Sequence, residues 1–231
     1  MIEITDLRKI YRMGNVEVRA LDGVTLDIEK GEFLGIMGPS GSGKTTLLHM
    51  LGLLDIPTSG KIVIDGMDLS HLSDYEKTMF RLYKYGYVFQ DYALVPDLTV
   101  MENVSLPAML RKDRTEEQCR KDSFEILQKI GLCDRRDHLP RELSGGQQQR
   151  VSLARAMVNK PDILFADEPC ANLDTENSRV VLDLFREINE GMQQTIVMVS
   201  HEDWHKEYFH RIIRLRDGKI ISDGTNGAKS H

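Results

Sequence analysis

The stretch "GPSGSGKT", Gly38 to Thr45, constrains the fold of this chain more than any other. It satisfies G-x-x-x-x-G-K-[ST], and it stands between the apolar run "EFLGIM" and the helix-like "TTLLHMLGLL". Small residues let backbone N–H groups converge on phosphate oxygens, and the positive end of the following helix adds to the attraction. Within Gly38, Pro39, Ser40, Gly41, Ser42, Gly43, Lys44, Thr45 and the next residue, Thr46, two side chains carry the chemistry. Lys44 would neutralise outer phosphates and the Thr45 hydroxyl would ligate Mg²⁺. A bare glycine turn with an exposed lysine is the competing reading, and the strand–loop–helix order weighs against it.

The remaining pattern agrees with such a loop. "IEITDL", "VTLDIE" and "EFLGIM" read as strands, the last two joined at Lys30-Gly31 as an antiparallel pair. "GKIVIDG" adds a strand. From Leu98 to about Gly131 the pattern is mostly helical, with Thr115-x-x-Gln118 as a capping box ahead of Phe124, Leu127 and Ile130. After Leu143 a helix places Val151, Ala154 and Val158 on one face. "DILFAD" and "TIVMVS" are short apolar runs suited to buried parallel strands. The helix between them carries Val181, Leu184, Phe185 and Ile188 at i, i+3, i+4 and i+7. "RIIRLRDGKII" reads as a hairpin about Asp217-Gly218. Alternating strands and helices imply an α/β core, with antiparallel strands at its edge and the helical middle as an inserted α-helical sub-domain.

Composition narrows the setting. A net charge of −6 advertises no basic stripe, so no nucleic-acid partner is expected. Three cysteines without C-x-x-C spacing fit a reducing cytosol better than a disulfide framework or a structural zinc site. "MIEITDLRKI" lacks the apolar run of a signal peptide, and no stretch approaches the ~18 apolar residues that span a bilayer. Work at a membrane would need another chain to do the spanning.

"ILFADE" places two acids at a strand end. Asp167 would sit beside the Mg²⁺ of the phosphate loop, and Glu168 would polarise a water for attack on a γ-phosphate. Two solvent-facing acids are the plain alternative. "LSGGQQQR", Leu143 to Arg150, contains a second capping box, Ser144-x-x-Gln147, and its two glycines leave a helix N-terminus open to an anion.

Together with the phosphate loop and the acidic strand, this string resembles the signature motif of ABC-type ATPases, a likeness that covers nearly the whole chain. The resemblance implies a P-loop NTPase fold: a RecA-like core with its antiparallel β edge over 1–90 and 143–223, a helical sub-domain over 91–142, and a loose tail over 224–231. It implies two copies facing head to tail around two ATP. Ser144, Gly145, Gly146 and Gln147 would then serve the partner copy's nucleotide. Tyr11 matches the aromatic that stacks on adenine; an ordinary edge-strand tyrosine is the alternative. Gln90, closing "YGYVFQ", matches the glutamine that touches Mg²⁺ and the attacking water. Asp174 of "ANLD" matches a loop that crosses the dimer interface, a role compatible with capping the next helix. "RMGNVEVRALDGVTLDIEKGEFLGIMGPSGSGKTTLLHMLGLLDIPTSGKIVIDG" and "ALVPDLTVMENVSLP" are similar to the lipoprotein-release and macrolide-exporter branch. The branch implies a separate membrane permease, contacted through roughly residues 90–110, and a cytoplasmic place on the inner face of the membrane. After "DEP" the branch usually carries Thr-Gly; here stand Cys170 and Ala171, read as small packing residues with an oxidisable thiol as the alternative.

"SHEDWH", Ser200 to His205, matches the H-E-x-x-H pattern of zinc peptidases. That reading needs a helix bringing His201 and His205 onto one face and a third ligand at a suitable distance. Tyr208 and Arg211 stand where one zinc class wants Gly and His, and no Glu follows Glu207 for another. No zinc is expected. His201 directly follows the buried strand "TIVMVS", where the resemblance places a histidine that reads the γ-phosphate. A non-transport ABC ATPase would bring tandem domains or coiled-coil arms, and a purely regulatory module would lack an acid at 168.

Overall fold

The computed structural model describes residues 1–14 and 16–225. The expected loose tail over 224–231 lies outside them except for its first two residues, which close the last strand. In chain order the elements are β1 (Ile2–Met13), β2 (Val16–Ile28), β3 (Phe33–Met37), α1 (Lys44–Leu51), β4 (Ser59–Ile64) and β5 (Met67–Asp68). Next come α2 (Asp74–Lys84), β6 (Tyr85–Val88), α3 (Val100–Met109), α4 (Glu116–Lys129) and α5 (Gly145–Met157). The chain ends with β7 (Ile163–Asp167), α6 (Thr175–Met192), β8 (Thr195–Val199), β9 (Arg211–Arg216) and β10 (Lys219–Thr225). Two compact units result: residues 1–78 with 189–225, and residues 79–188.

In the first unit, β2-β1-β4-β5 form an antiparallel sheet. β3 lies between β8 and β9 and runs parallel to both, while β9 and β10 form the hairpin expected about Asp217-Gly218. The expected antiparallel pairing of "VTLDIE" with "EFLGIM" is therefore wrong: β2 pairs with β1, and β3 belongs to the other sheet. Burial explains the parting. All five residues of β3 are buried, as suits a central parallel strand, whereas β2 alternates from buried to exposed toward its end. The turn at Gly31 is real but joins layers. Gly35 in β3 has no room for a side chain, since a Cβ there would lie 2.3 Å from the Phe209 ring.

In the second unit β6 and β7 run parallel, with Val88 opposite Ala166. Helices α3, α4 and α5 share a core of Val100, Val104, Ala108, Leu127, Val151 and Ala154. The capping boxes at Thr115/Gln118 and Ser144/Gln147 form as expected. Phe124 is turned further outward than its spacing suggests, with the Arg136 guanidinium over its ring. Helix α2 was not foreseen, although Ser73-x-x-Glu76 marks its start: Glu76 accepts from the Ser73 N–H at 2.8 Å, and the Ser73 hydroxyl accepts in return. Among the described residues no helix is long and apolar enough to cross a membrane.

Gly86 lets α5 lie against β6, because a Cβ there would stand 2.5 Å from the Ala156 carbonyl oxygen, which is backbone and cannot turn away. We expect Gly86→Ala to lower unfolding free energy by about 1–3 kcal/mol in urea titration. Wild-type stability in that variant would show that α5 can shift without cost.

Candidate functional site

The first unit builds a glycine-rich cradle at the carboxyl ends of parallel strands. β3 runs into the loop, and the chain turns at Gly38, Gly41 and Gly43, all at positive φ. Two of these glycines are also demanded by close packing. A Cβ on Gly38 would lie 2.2 Å from the Leu215 carbonyl oxygen, and one on Gly43 would lie 2.3 Å from that of Ala20. Gly41 has open space instead, which leaves the loop's outer side approachable. Helix α1 then starts on Gly43 with no side-chain cap and no acid in its first turn. Its first N–H groups and its positive end are thus left for an anion.

Lys44 is buried and donates to the Pro39 carbonyl at 3.0 Å, so its ammonium is folded back onto the loop. The Ser42 hydroxyl is buried with no hydrogen-bond partner among the described residues. A buried ammonium, an unpartnered hydroxyl and uncapped amides are the donor set that a polyphosphate satisfies. Tyr11, in β1, reaches the same helix: its phenol oxygen neighbours the Thr46 hydroxyl and donates to Asp55 Oδ2 at 2.8 Å.

His201 falls on this edge as well. β8 is parallel to β3 with Ile36 opposite Val199, and the Ser200 N–H donates to the Ile36 carbonyl at 3.1 Å. The chain leaving β8 is therefore tied beside the chain entering the phosphate loop. His201 is half exposed, with Nε2 at 3.3 Å from Glu202 Oε1. Residues Asp203–Tyr208 wind as 3₁₀ rather than α, so His201 lies outside the turn while His205 is buried, its Nδ1 2.7 Å from Ser200 Oγ. The shared helical face of a zinc peptidase is not formed.

The second unit gathers the other candidates. The parallel register of β6 and β7 carries Gln90 and the Asp167-Glu168 pair to one strand end. Glu168 adopts φ +43, a costly conformation for a residue with a Cβ. It opens a tight turn in which the Ala171 N–H donates to the Glu168 carbonyl at 3.1 Å. Asp167 lies close enough to Tyr87 that its charge, after burial, raises the phenol's pKa.

Sequence reasoning missed what holds the loop after Gln90. Asn172 donates to the Gln90 carbonyl at 3.1 Å, and Arg155 donates to the carbonyls of Tyr92 and Ala93, both at positive φ. Neither residue signals this in the sequence, since each is an ordinary polar residue far along the chain.

At the start of α5, Ser144 Oγ accepts from the Gln147 N–H and Gln147 Oε1 accepts from the Ser144 N–H at 2.9 Å. Gly145 and Gly146 do more than expose this helix end. A Cβ on Gly146 would lie 2.5 Å from Asn177 Oδ1, and one on Gly145 would lie 2.8 Å from the Tyr92 hydroxyl. Asn177 in turn donates from its backbone and its amide to Asp174, both at 2.8 Å. Asp174 thus fastens the first turn of α6, the helix-start role that its sequence position allowed.

Residues 21–171 match the family model described as ABC transporter. The uncharacterized ABC transporter ATP-binding protein MJ1508 of Methanocaldococcus jannaschii is 46% identical over 96% of this chain and 98% of its own. The chain belongs to the ABC transporter family. The lipoprotein-releasing system ATP-binding protein LolD of Aquifex aeolicus is 45% identical across 97% of this cassette and 98% of LolD. The macrolide export ATP-binding/permease protein MacB of Rhodopirellula baltica is 43% identical over 96% of the cassette, which spans only 33% of that longer chain. The dimeric structure of the bacterial ABC transporter cassette MJ0796 superposes with a TM-score of 0.90 at 41% identity, covering 97% of this chain and 98% of that one. The same cassette has been solved in a post-hydrolysis state bound to ADP and Pi, with the same TM-score. This cassette is an ATP hydrolase of that family.

Two departures from the motifs resolve in the structure. Cys170 is buried, and burial pushes its thiol up to about 12, so it packs as a small apolar group and is not poised as a thiolate. His205 is held neutral by burial, its pKa pulled from 6.5 to about 4. Because the folded value lies below the unfolded one, the unfolded chain alone takes up this proton between about pH 6.5 and 4, and stability falls across that window. At pH 5 the loss attributable to His205 is at most about 2 kcal/mol. Denaturation of His205→Leu at pH 7 and pH 5 should show a smaller acid-induced loss than wild type; equal losses would remove His205 from the account.

Proposed function

We propose that this cassette hydrolyses ATP as one of two copies closed around two nucleotides, and that the closure drives a separate membrane permease. The observation that carries the reading is the cradle in the first unit: an uncapped α1 N-terminus behind a glycine loop with a buried lysine. Lys44 and the loop amides of 38–46 hold the phosphates, and Tyr11 carries the adenine. Thr45, Gln90 and Asp167 would hold Mg²⁺, which would supply positive charge to neutralise the phosphate oxygens. Glu168 accepts a proton from the attacking water, and His201 donates a hydrogen bond to the γ-phosphate. Ser144, Gly145, Gly146 and Gln147 approach the nucleotide of the other copy with the open end of α5, and Asp174 lies along the interface between copies. The dimeric form of MJ0796 and its ADP- and Pi-bound state support that arrangement.

The permease partner is supported by the relatives: MacB is named as an ATP-binding/permease protein and LolD as the ATP-binding protein of a lipoprotein-releasing system. The cassette then works on the cytoplasmic face of the membrane, in export of the lipoprotein-release or macrolide type. A cavity of about 240 Å³ in the second unit, lined by Arg81, Leu82, Tyr85, Tyr87, Pro107 and Asn159, suits a partner element with an apolar tip.

Glu168→Gln should keep ATP binding, slow turnover by about 10²-fold or more, and accumulate ATP-dependent dimers on a sizing column. Turnover at the wild-type rate would take the base away from Glu168. Lys44→Ala should weaken ATP binding in calorimetry by more than tenfold, as expected from losing a charge-assisted bond to phosphate. Unchanged affinity would remove the loop from the site.

A further inference from the structure

Tyr11 is not a lone aromatic on an edge strand. Asp55 Oδ2 accepts its hydroxyl at 2.8 Å, and Asp55 Oδ1 accepts from Lys9 Nζ at 2.7 Å. Lys9 also donates to the Ile56 carbonyl at 2.7 Å, and its ammonium stands 4.9 Å from the centre of the Tyr11 ring. Asp55 further accepts the Ile56 N–H at 2.7 Å, so its own side chain is fixed. Two side chains, Lys9 of β1 and Asp55 of the segment between α1 and β4, thereby fix the Tyr11 ring at both its hydroxyl end and one side.

Most of the Lys9 side chain is buried, at 12% exposure, whereas Tyr11 is 38% exposed. An exposed tyrosine would ordinarily sample several rotamers. Here that freedom is already given up before any ligand arrives, and a ring fixed in advance binds a flat partner with less ordering cost. A cation beside one side of the ring leaves the other for stacking and polarises the π system.

We propose that Asp55 and Lys9 are positioning residues for nucleotide binding, which fix Tyr11 as a preset stacking platform for the base. The proposal rests on the reading of Tyr11 as the base-stacking residue. The side-chain hydrogen bonds of Asp55 and Lys9 run to Tyr11, to each other and to the backbone of Ile56, none of them to the loop of 38–46, so their effect is expected on the base-bearing ligand alone.

Calorimetry with ADP and with inorganic pyrophosphate, its base-free counterpart, separates the possibilities. Tyr11→Ala should weaken ADP about tenfold, the scale of one base–aromatic stack, and leave pyrophosphate unchanged. Tyr11→Phe, which keeps the ring and loses the bond to Asp55 together with the contact to the Thr46 hydroxyl, should weaken ADP roughly threefold to fivefold. Asp55→Asn should do the same, and the double variant Tyr11→Phe/Asp55→Asn should be no worse than either single one. In steady state Asp55→Asn should raise KM for ATP by a similar factor and move kcat less than twofold. Should Asp55→Asn not fold, Lys9→Met carries the same comparison without touching the loop, since the Lys9 ammonium bonds only to Asp55 and the Ile56 carbonyl. If Tyr11→Ala weakens ADP while Tyr11→Phe, Asp55→Asn and Lys9→Met bind it as wild type does, the platform stands and the positioning role falls. If Tyr11→Ala leaves ADP binding intact, the base reading falls and the proposal with it. Equal weakening of ADP and pyrophosphate by Asp55→Asn would mark a general distortion of the loop and overturn the positioning role.

Discussion

The close approach of backbone to backbone around the phosphate loop is the constraint on which the first unit depends. Gly38 is pressed against the Leu215 carbonyl and Gly43 against that of Ala20, at distances no side chain tolerates. The Gly218 N–H donates to the Ser42 carbonyl at 3.1 Å, and the Asp22 N–H donates to the Gly218 carbonyl at 2.9 Å. The loop is therefore clamped from outside by the turn between β9 and β10. Its own flexibility, which glycine confers, is removed by its surroundings. A loop rigid before a ligand arrives keeps its N–H groups converged at no further cost on binding.

Parallel pairing decides where the chemistry stands. Strands that run the same way release their loops at the same edge, and in sheets of this kind ligands meet the carboxyl ends. β3 and β8 thus deliver the glycine loop and His201 together, and β6 and β7 deliver Gln90 and Glu168. The polar residues that tune each loop come from elsewhere. Asn172 and Arg155 brace the chain after Gln90, and Asn177, held by Asp174, packs against Gly146 of α5. In this second unit Gly146 leaves room for Asn177 and Gly145 for the Tyr92 hydroxyl, so their smallness serves packing as well as access.

What the sequence discloses divides along the same line. The glycine loop, the two acids and both capping boxes are local backbone chemistry, and local spacing suffices to read them. Partner choice between strands is not local. The apolar run of β3 announces burial yet not its neighbours, which is why a hairpin with β2 looked reasonable from Lys30-Gly31 and was wrong. The braces were invisible for a related reason: Asp55, Arg155 and Asn177 are ordinary polar residues whose meaning arises only when distant segments meet. Helix α2 is different, since both Ser73-x-x-Glu76 and the helical spacing of Tyr75, Met79, Leu82 and Tyr83 are local signals of it, even though none of its residues is fully buried.

The pair His201 and His205 shows how far a spacing pattern can be trusted. On an α-helix, positions i and i+4 share a face, and two imidazoles would converge on one ligand. Here the first histidine sits between β8 and the turn, and only the second lies inside it, where 3₁₀ winding gives a different periodicity. The Ser200 hydroxyl meets His205 Nδ1 and accepts the Glu202 N–H at 3.2 Å, which pulls the second ring inward. Trp204 closes over it edge-on at 4.3 Å between centroids. His201 is left half exposed at the strand end, the place from which a side chain can reach a ligand in the cradle. Two identical side chains four residues apart thus acquire opposite characters, one a neutral part of the packing and one half exposed beside Glu202. The strand that precedes them sets this outcome, because it fixes where the turn begins.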